Sequence, residues 1–217
     1  MSLAIFDLDN TLLRGDSDYE WGQFLIAEGA VDAEVVAREH DRYYAQYLEG
    51  TLDIFEFLAF QLRPLAEHDR NTLEQWRAKF MQTRIQPLIT GAAKALVESH
   101  RRNGDTLLII TATNRFITRP IADAFGVEHL IATEPEEVDG RFTGKVAGTP
   151  SYREGKIARL NPWLKQHDET LAGSWFYSDS HNDLPLLELV DNPVAVNPDA
   201  TLADYAREHQ WQILRLT

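Results

Sequence analysis

The spacing of apolar residues changes character twice along the chain. Leu3 to Leu8 is a short apolar run closing on two acids, Asp7 and Asp9, which suits a buried strand with polar groups at its carboxyl end. From Asp16 to Gln86 the apolar residues fall instead at helical spacing, as in Trp21 and Leu25, then Phe55, Leu58, Ala59 and Leu62. This stretch contains no convincing strand and predicts about four helices, with breaks near Gly29, Glu49-Gly50-Thr51 and Arg63-Pro64. So long a helical segment directly after a first strand reads as an inserted subdomain spanning 16–86, with 1–15 and 87–217 forming the body that receives it.

After Pro87 strands and helices alternate. Helices are expected at Gly91–His100, Asn114–Phe125, Glu154–His167, Asp183–Val190 and Leu202–His209, and strands at Thr106–Thr111, His129–Ala132, Ser174–Ser178, Val194–Val196 and Trp211–Leu214. The Asp139-Gly140 pair between alternating residues signals a hairpin across Val138–Val146. The fold class is therefore α/β, a parallel sheet covered by helices on both faces, with ligands at the carboxyl ends of its strands.

Composition narrows the function. With 21 basic and 34 acidic residues the chain carries a net charge of -13, which disfavours nucleic acid and anionic membranes as partners. The absence of cysteine excludes a disulfide scaffold, a Cys-ligated metal and a thiol nucleophile. The aliphatic run Leu107–Ile110 is far too short for a membrane helix, and the opening residues meet an acid before a signal segment could form. A soluble, cytoplasmic protein is expected, as a monomer or a dimer.

The candidate chemistry sits at strand ends. Asp7 and Asp9 close the first strand, with Thr11 just beyond, and Thr111 ends the aliphatic strand. Asp179 ends the strand after Lys156, and Asp183 follows in the loop Ser178-Asp-Ser-His-Asn-Asp183. Carboxylates gathered this closely repel one another unless a cation intervenes, and an oxygen-only set favours a hard ion such as Mg²⁺. One Asp could attack phosphorus and another move protons, while Thr111, Lys156 and the helix start at Thr113–Asn114 hold phosphate oxygens.

These motifs resemble those of the haloacid dehalogenase (HAD) phosphohydrolases. Phe6-Asp-Leu-Asp-Asn-Thr11 matches the D-x-D-x-T signature. Thr111, Lys156 in Gly-Lys-Ile-Ala-Arg-Leu, and Asp179 with Asp183 follow in the family's order over nearly the whole chain. The resemblance implies a Rossmann-like core and a helical type-one cap at 16–86. It is closest to the phosphoserine-phosphatase-like branch and is similar to bacterial HAD-type histidinol-phosphate phosphatases. It also implies Asp7 as nucleophile and Asp9 as acid/base. Mg²⁺ would be held by Asp7, the Asp9 carbonyl and Asp179, with Asp183 inside or just outside the coordination shell, and phosphate by Thr111 and Lys156. The substrate would be a small phosphate monoester.

Some positions leave alternatives open. Lys145 in the hairpin rivals Lys156, although Lys156 stands at a helix start before a strand. Thr-Ala-Thr-Asn at 111–114 departs from the Ser-Gly-Gly type of turn common in serine phosphatases. Asp16, nine residues after Asp7, lies where relatives of that branch place an acid that meets the substrate's amine, and Asn114 and Arg115 are candidates to touch substrate or merely to start a helix. Arg42 and Arg63 are the candidates to clamp a substrate carboxylate. An amino-alcohol phosphate without a carboxylate fits the acidic entrance Asp16-Ser-Asp-Tyr-Glu-Trp21 better than phosphoserine does. Tyr43, Tyr44 and Tyr47 read as packing within the helical segment, Asp183 as a helix cap compatible with metal support, and His181 as a hydrogen-bonding spacer. A receiver-like regulatory module and a metal nuclease are the competing classes. The position of the D-x-D pair on the first strand opposes the former, and the acidic balance opposes the latter.

Overall fold

The computed structural model describes residues 2–216. Leu3–Phe6 forms β1, and its four apolar side chains are all fully buried, as a central strand covered on both faces requires. Helices α1 (Ser17–Ala27), α2 (Ala33–Glu49), α3 (Ile54–Glu67) and α4 (Arg70–Phe80) follow before the chain returns through α5 (Gly91–Arg102) to β2 (Thr106–Asn114). Then come α6 (Arg115–Ala124), β3 (His129–Thr133), the hairpin β4 (Pro135–Val138) and β5 (Arg141–Val146), and α7 (Glu154–His167). The remainder is β6 (Trp175–Ser178), the short α8 (Leu184–Leu187), β7 (Asn192–Val196), α9 (Ala200–Glu208) and β8 (Gln212–Leu214).

Six strands pair in the order β3-β2-β1-β6-β7-β8, all parallel, while β4 and β5 pair antiparallel on their own. At the hairpin turn Asp139 and Gly140 both take positive φ, 50° and 77°, the backbone that a two-residue turn of this hand demands. The strand order reverses at β1, which has β2 on one side and β6 on the other. Phe6 lies level with Ile109 and with Tyr177, so three neighbouring strands open at one sheet edge, where a crevice forms at such a reversal.

Alternation along β1 divides the core. Leu3 and Ile5 face Leu160, Leu186, Leu187, Leu202 and Ala206, the buried side of α7, α8 and α9. Ala4 and Phe6 face the other way, into a cluster that runs without interruption through Val97, Phe116 and Ile117 to Trp21, Phe24, Leu58, Leu62 and Phe80 of the helical segment. Helices α1, α3 and α4 thus share one hydrophobic core with a face of the sheet, and Trp21 meets Phe116 edge to face at 6.2 Å.

Some predicted boundaries move. The break expected at Arg63-Pro64 is absent: α3 continues to Glu67 because Pro64 is buried between Leu62 and Leu65, whose packing outweighs the hydrogen bond the proline cannot make. The break falls at His68-Asp69, where Asp69 accepts from Thr72 N–H and starts α4. The helix expected over Asp183–Val190 shrinks to Leu184–Leu187, since Asp183 belongs to a preceding tight turn and caps nothing. The acidic excess also finds places, because Asp16, Asp32, Asp53 and Asp69 each accept backbone N–H groups at the starts of α1 to α4. Among the described residues no helix is long and apolar enough to cross a membrane.

Candidate active site

A cavity of about 410 Å³ lies between the carboxyl edge of β1, β2 and β6 and the helices α1, α2 and α3. Its floor is built from strand ends. Asp7 follows β1 directly, its backbone N–H bonded to the Tyr177 carbonyl at 2.9 Å. Non-helical backbone at Asp9 (ψ 133°) and Asn10 (φ 56°) then turns the chain, and asparagine tolerates that conformation better than most residues. Asp9 is fixed from two sides, accepting from Ser17 N–H at 2.7 Å and from the Thr113 hydroxyl at 2.9 Å. Thr111 lines the floor from β2 and is buried, its hydroxyl oxygen accepting from Thr113 N–H.

Of the two candidate lysines, Lys156, in the first turn of α7, is the one that lines the floor. Its ammonium donates to Asp7 Oδ1 and to Asp183 Oδ2, each at 2.7 Å, whereas Lys145 is exposed on the hairpin. Asp183 Oδ2 also accepts from the Ser178 hydroxyl at 2.6 Å, and Asp179 Oδ1 from the Thr11 hydroxyl at 3.1 Å.

The charges in this floor do not balance by themselves. Burial pushes the Asp7 carboxyl up to about 7, against the pull of Lys156 and with the help of Asp183 and Asp9. Burial raises Asp179 well above the carboxylate range, and Asp7 and Asp183 add to that. For Lys156 burial works against the charged form, but Asp183 and Asp7 outweigh it and hold the ammonium above its usual value. One ammonium thus faces three carboxylates, and a cation would let all of them ionise. The donors are oxygen only, as a hard divalent ion prefers. Among the described residues no three His, Cys, Asp or Glu side chains converge into a ready-made cage.

The ceiling comes from α1, α2 and α3. Asp16 lines the cavity, with one oxygen committed to Asp18 N–H at 2.8 Å and Tyr19 N–H at 2.9 Å; burial raises its carboxyl. Tyr43, Tyr44 and Tyr47, expected as internal packing, all line the cavity. Tyr43 also packs edge to face on Phe57 at 5.2 Å, and the Tyr47 hydroxyl donates to Ser180 Oγ across the gap at 2.7 Å. Asp18, His40 and Gln61 line the same wall, and sequence reasoning did not single out the latter two.

Other expected positions lie elsewhere. Asn114 is buried with its side chain accepting from Ile117 N–H at the start of α6, and it does not line the cavity, because the backbone donors of that helix claim it first. Arg115 pairs with Glu134, Arg42 with Glu39 and Glu56, and Arg63 with Glu67, all outside the cavity. His181 bonds Asp199 through Nδ1. Thr113, expected only as part of a helix start holding phosphate oxygens, binds Asp9 through its hydroxyl, and the hold of Ser17 on Asp9 and of Ser178 on Asp183 was not anticipated. Their signal is only that each stands within five residues of an acid or threonine of the site.

Comparison with known proteins agrees with this geometry. The haloacid dehalogenase-like hydrolase family matches residues 4–188. A histidinol-phosphatase of Neisseria meningitidis serogroup C is 48% identical over 98% of both chains. Among solved structures, a Bordetella pertussis Tohama I protein of unknown function superposes with a TM-score of 0.94 at 46% identity, covering 100% of this chain and 99% of that one. A phosphoserine phosphatase, as an analogue of its phospho-aspartyl intermediate, superposes with a TM-score of 0.73 at 18% identity over 100% and 93% of the two chains, a likeness of fold.

Proposed function

The chain belongs to the haloacid dehalogenase-like hydrolases and is a phosphatase, and from that premise we propose that it hydrolyses a small amine-bearing phosphate monoester, histidinol phosphate foremost, through an aspartyl-phosphate on Asp7. One observation carries the substrate choice. The cavity is lined by seven aspartates and several aromatic rings, while its single cationic side chain, Lys156, is committed to the floor. A substrate carboxylate would meet no partner in the ceiling, whereas an ammonium and a flat ring would. Phosphoserine or another amino-alcohol phosphate is the alternative. The 48% identity to a histidinol-phosphatase supports the first choice and a role in histidine biosynthesis.

In this reading residues 16–86 act as a cap over the core formed by 1–15 and 87–217. Mg²⁺ would be held by Asp7, Asp179 and the Asp9 carbonyl, with Asp183 steadying the set through Lys156; it supplies neutralising charge beside the phosphate. Asp7 Oδ1 is engaged by Lys156, which leaves Oδ2 for attack on phosphorus. As the phosphorus–oxygen ester bond breaks, the leaving oxygen takes a proton from the Asp9 carboxyl. Asp9 suits that role because burial, with Asp16 adding to it, pushes it up to about 6, near working pH. Water then attacks the aspartyl-phosphate, Asp9 accepts its proton, and inorganic phosphate leaves with Asp7 restored. Thr111 and Lys156 hold the non-bridging oxygens during both steps. Asp16, through its uncommitted oxygen, faces the substrate's ammonium.

A phosphate-release assay with Mg²⁺ over histidinol phosphate, phosphoserine and ethanolamine phosphate tests the reading. The highest kcat/KM is expected for histidinol phosphate, and equal rates on all three would refute the substrate assignment.

A further inference from the structure

The helical wall of the cavity holds three buried polar side chains, one from each of α1, α2 and α3. Asp18 comes from α1, His40 from α2 and Gln61 from α3, and they are 7%, 9% and 9% exposed. Asp18 Oδ1 and both ring nitrogens of His40 have no hydrogen-bond partner in the protein. The Gln61 amide stands within long hydrogen-bonding reach of both Asp18 and His40, which eases the charged form of each, but no bond of 3.5 Å or less reaches Asp18 Oδ1 or either ring nitrogen. Buried polar atoms are normally satisfied, and a group of orphans gathered on one cavity wall calls for a partner such as water, an ion or a ligand.

The fold makes room for this arrangement. Gly22 sits inside α1, where alanine would be the better helix former. A Cβ there would fall 2.5 Å from His40 Cε1, so the glycine is what allows the imidazole its seat. Around the three groups stand Tyr19, Tyr43 and Phe57, which also line the cavity, and the His40 ring lies 5.4 Å from that of Tyr19.

We infer that Asp18, His40 and Gln61 form a head-group subsite for a planar nitrogen heterocycle carrying both an N–H donor and a nitrogen acceptor, held between aromatic walls at the end of the substrate remote from phosphate. The inference rests on the proposed function, since the phosphate end must be on the floor for the remote end to reach this wall. The subsite's chemistry matches such a ring. Glutamine and neutral histidine each offer one donor and one acceptor face, and a ring nitrogen and its N–H need one of each. Burial first, and Asp16 next, push the Asp18 carboxyl up to about 8, so that near neutrality it can donate as well as accept. A ring without hydrogen-bonding atoms would leave these groups orphaned, which is the basis of rejection rather than mere weak binding. Asp16, next to Asp18 on the path to the floor, keeps the amine of the same substrate, so ammonium and ring are read by different residues.

The test compares kcat/KM for histidinol phosphate with that for ethanolamine phosphate, which has the amine but no ring, in the Mg²⁺-loaded full chain. In His40→Phe and Gln61→Leu the ratio is expected to fall about tenfold or more, mainly through KM for histidinol phosphate, and His40→Gln should recover part of it. Gly22→Ala should act in the same direction by displacing the imidazole. Thermal melting separates folding from recognition: His40→Phe removes orphaned atoms and should melt at or above the parent, where a purely structural histidine would lower the transition. A parent that prefers histidinol phosphate while the variants keep its ratio overturns the subsite and leaves the proposed function standing. Where the parent shows no such preference, the substrate assignment fails, and the subsite is decided by calorimetry with phosphate-free histidinol. Loss of affinity by about tenfold in His40→Phe then supports it, and unchanged affinity overturns it.

Discussion

The floor and the ceiling of the cavity treat polar atoms in opposite ways. On the floor, Lys156 satisfies Asp7 and Asp183, Ser17 and Thr113 satisfy Asp9, and Thr11 satisfies Asp179, all within 2.6 to 3.1 Å with Ser178. On the ceiling, Asp18 Oδ1 and both His40 nitrogens are buried and unpartnered. Reaction chemistry gains from groups whose positions are set before substrate arrives, because no reorganisation is then needed as charge develops. Discrimination gains from groups that only the right ligand can satisfy, because the wrong one leaves them desolvated and unpaired. The same fold therefore gathers its satisfied network around the strand ends and leaves its unfilled valences at Asp18 and His40 on the helical wall.

Breaking the floor should have the largest effects. Asp7→Asn is expected to reduce phosphate release from p-nitrophenyl phosphate by on the order of 10⁴-fold or more, with the circular dichroism unchanged. Retained turnover would end the nucleophile assignment. Lys156→Met comes next and strikes stability as well as rate. It strands Asp7, Asp179 and Asp183 without a countercharge in a site where the lysine is 3% exposed, so urea unfolding should report a loss of about 3 kcal/mol. Added Mg²⁺ should return part of that loss in the Lys156→Met protein, measured by thermal melting, because a bound cation replaces the missing charge. No recovery would argue against a cation among these carboxylates.

The difference between floor and ceiling also explains how much could be read without a structure. Asp7, Thr111 and Asp179 are marked in one dimension, since each closes an apolar run of a strand and the strands meet at one sheet edge. Lys156 was a candidate by its helix start, and only its burial beside Asp7 and Asp183 sets it apart from its exposed rival Lys145. The ceiling depends on how three helices rotate against one another, which apolar spacing fixes only to a face. His40 lies on the buried stripe of α2 with Val36 and Tyr43, and Gln61 stands between buried Leu58 and Leu62 on α3. A polar residue on an apolar stripe is thus a usable signal, and Gly22 inside α1 is a second. Asn114 shows the converse failure, because its helix-capping role and a substrate role look identical in sequence. Pro64 fails for another reason: the tertiary packing that holds a helix through a proline is invisible locally.

At the ceiling Asp18→Asn is expected to act through pH. The Asp18 carboxyl stands at about 8 in the folded protein against an ordinary value of 3.8. Its stabilising contribution is therefore complete below about pH 4, and it is lost as pH rises through 8, because the unfolded chain releases that proton first. Each pH unit is worth at most about 1.4 kcal/mol, so the parent's melting temperature should fall from pH 5 to 8 and that of Asp18→Asn should fall less. Identical slopes would mean that Asp18 is ionised throughout, and the ceiling would then be a charged wall rather than a neutral, hydrogen-bonding one.

The smallest effect is expected just behind the ceiling, where Arg42 stacks 4.1 Å over the Tyr43 ring and pairs with Glu39 and Glu56 outside the cavity. These pairs are exposed, so Arg42→Ala should change stability little, and kcat/KM on histidinol phosphate should stay within about twofold. The informative substrate is phosphoserine. If Arg42 swings inward when the cap moves, it would offer the carboxylate clamp that the cavity lining lacks, and Arg42→Ala would depress phosphoserine turnover selectively. If it stays with Glu39 and Glu56, both substrates respond alike. The ceiling then rejects carboxylates because no cation can reach them, and its acids and orphaned nitrogens alone define what enters.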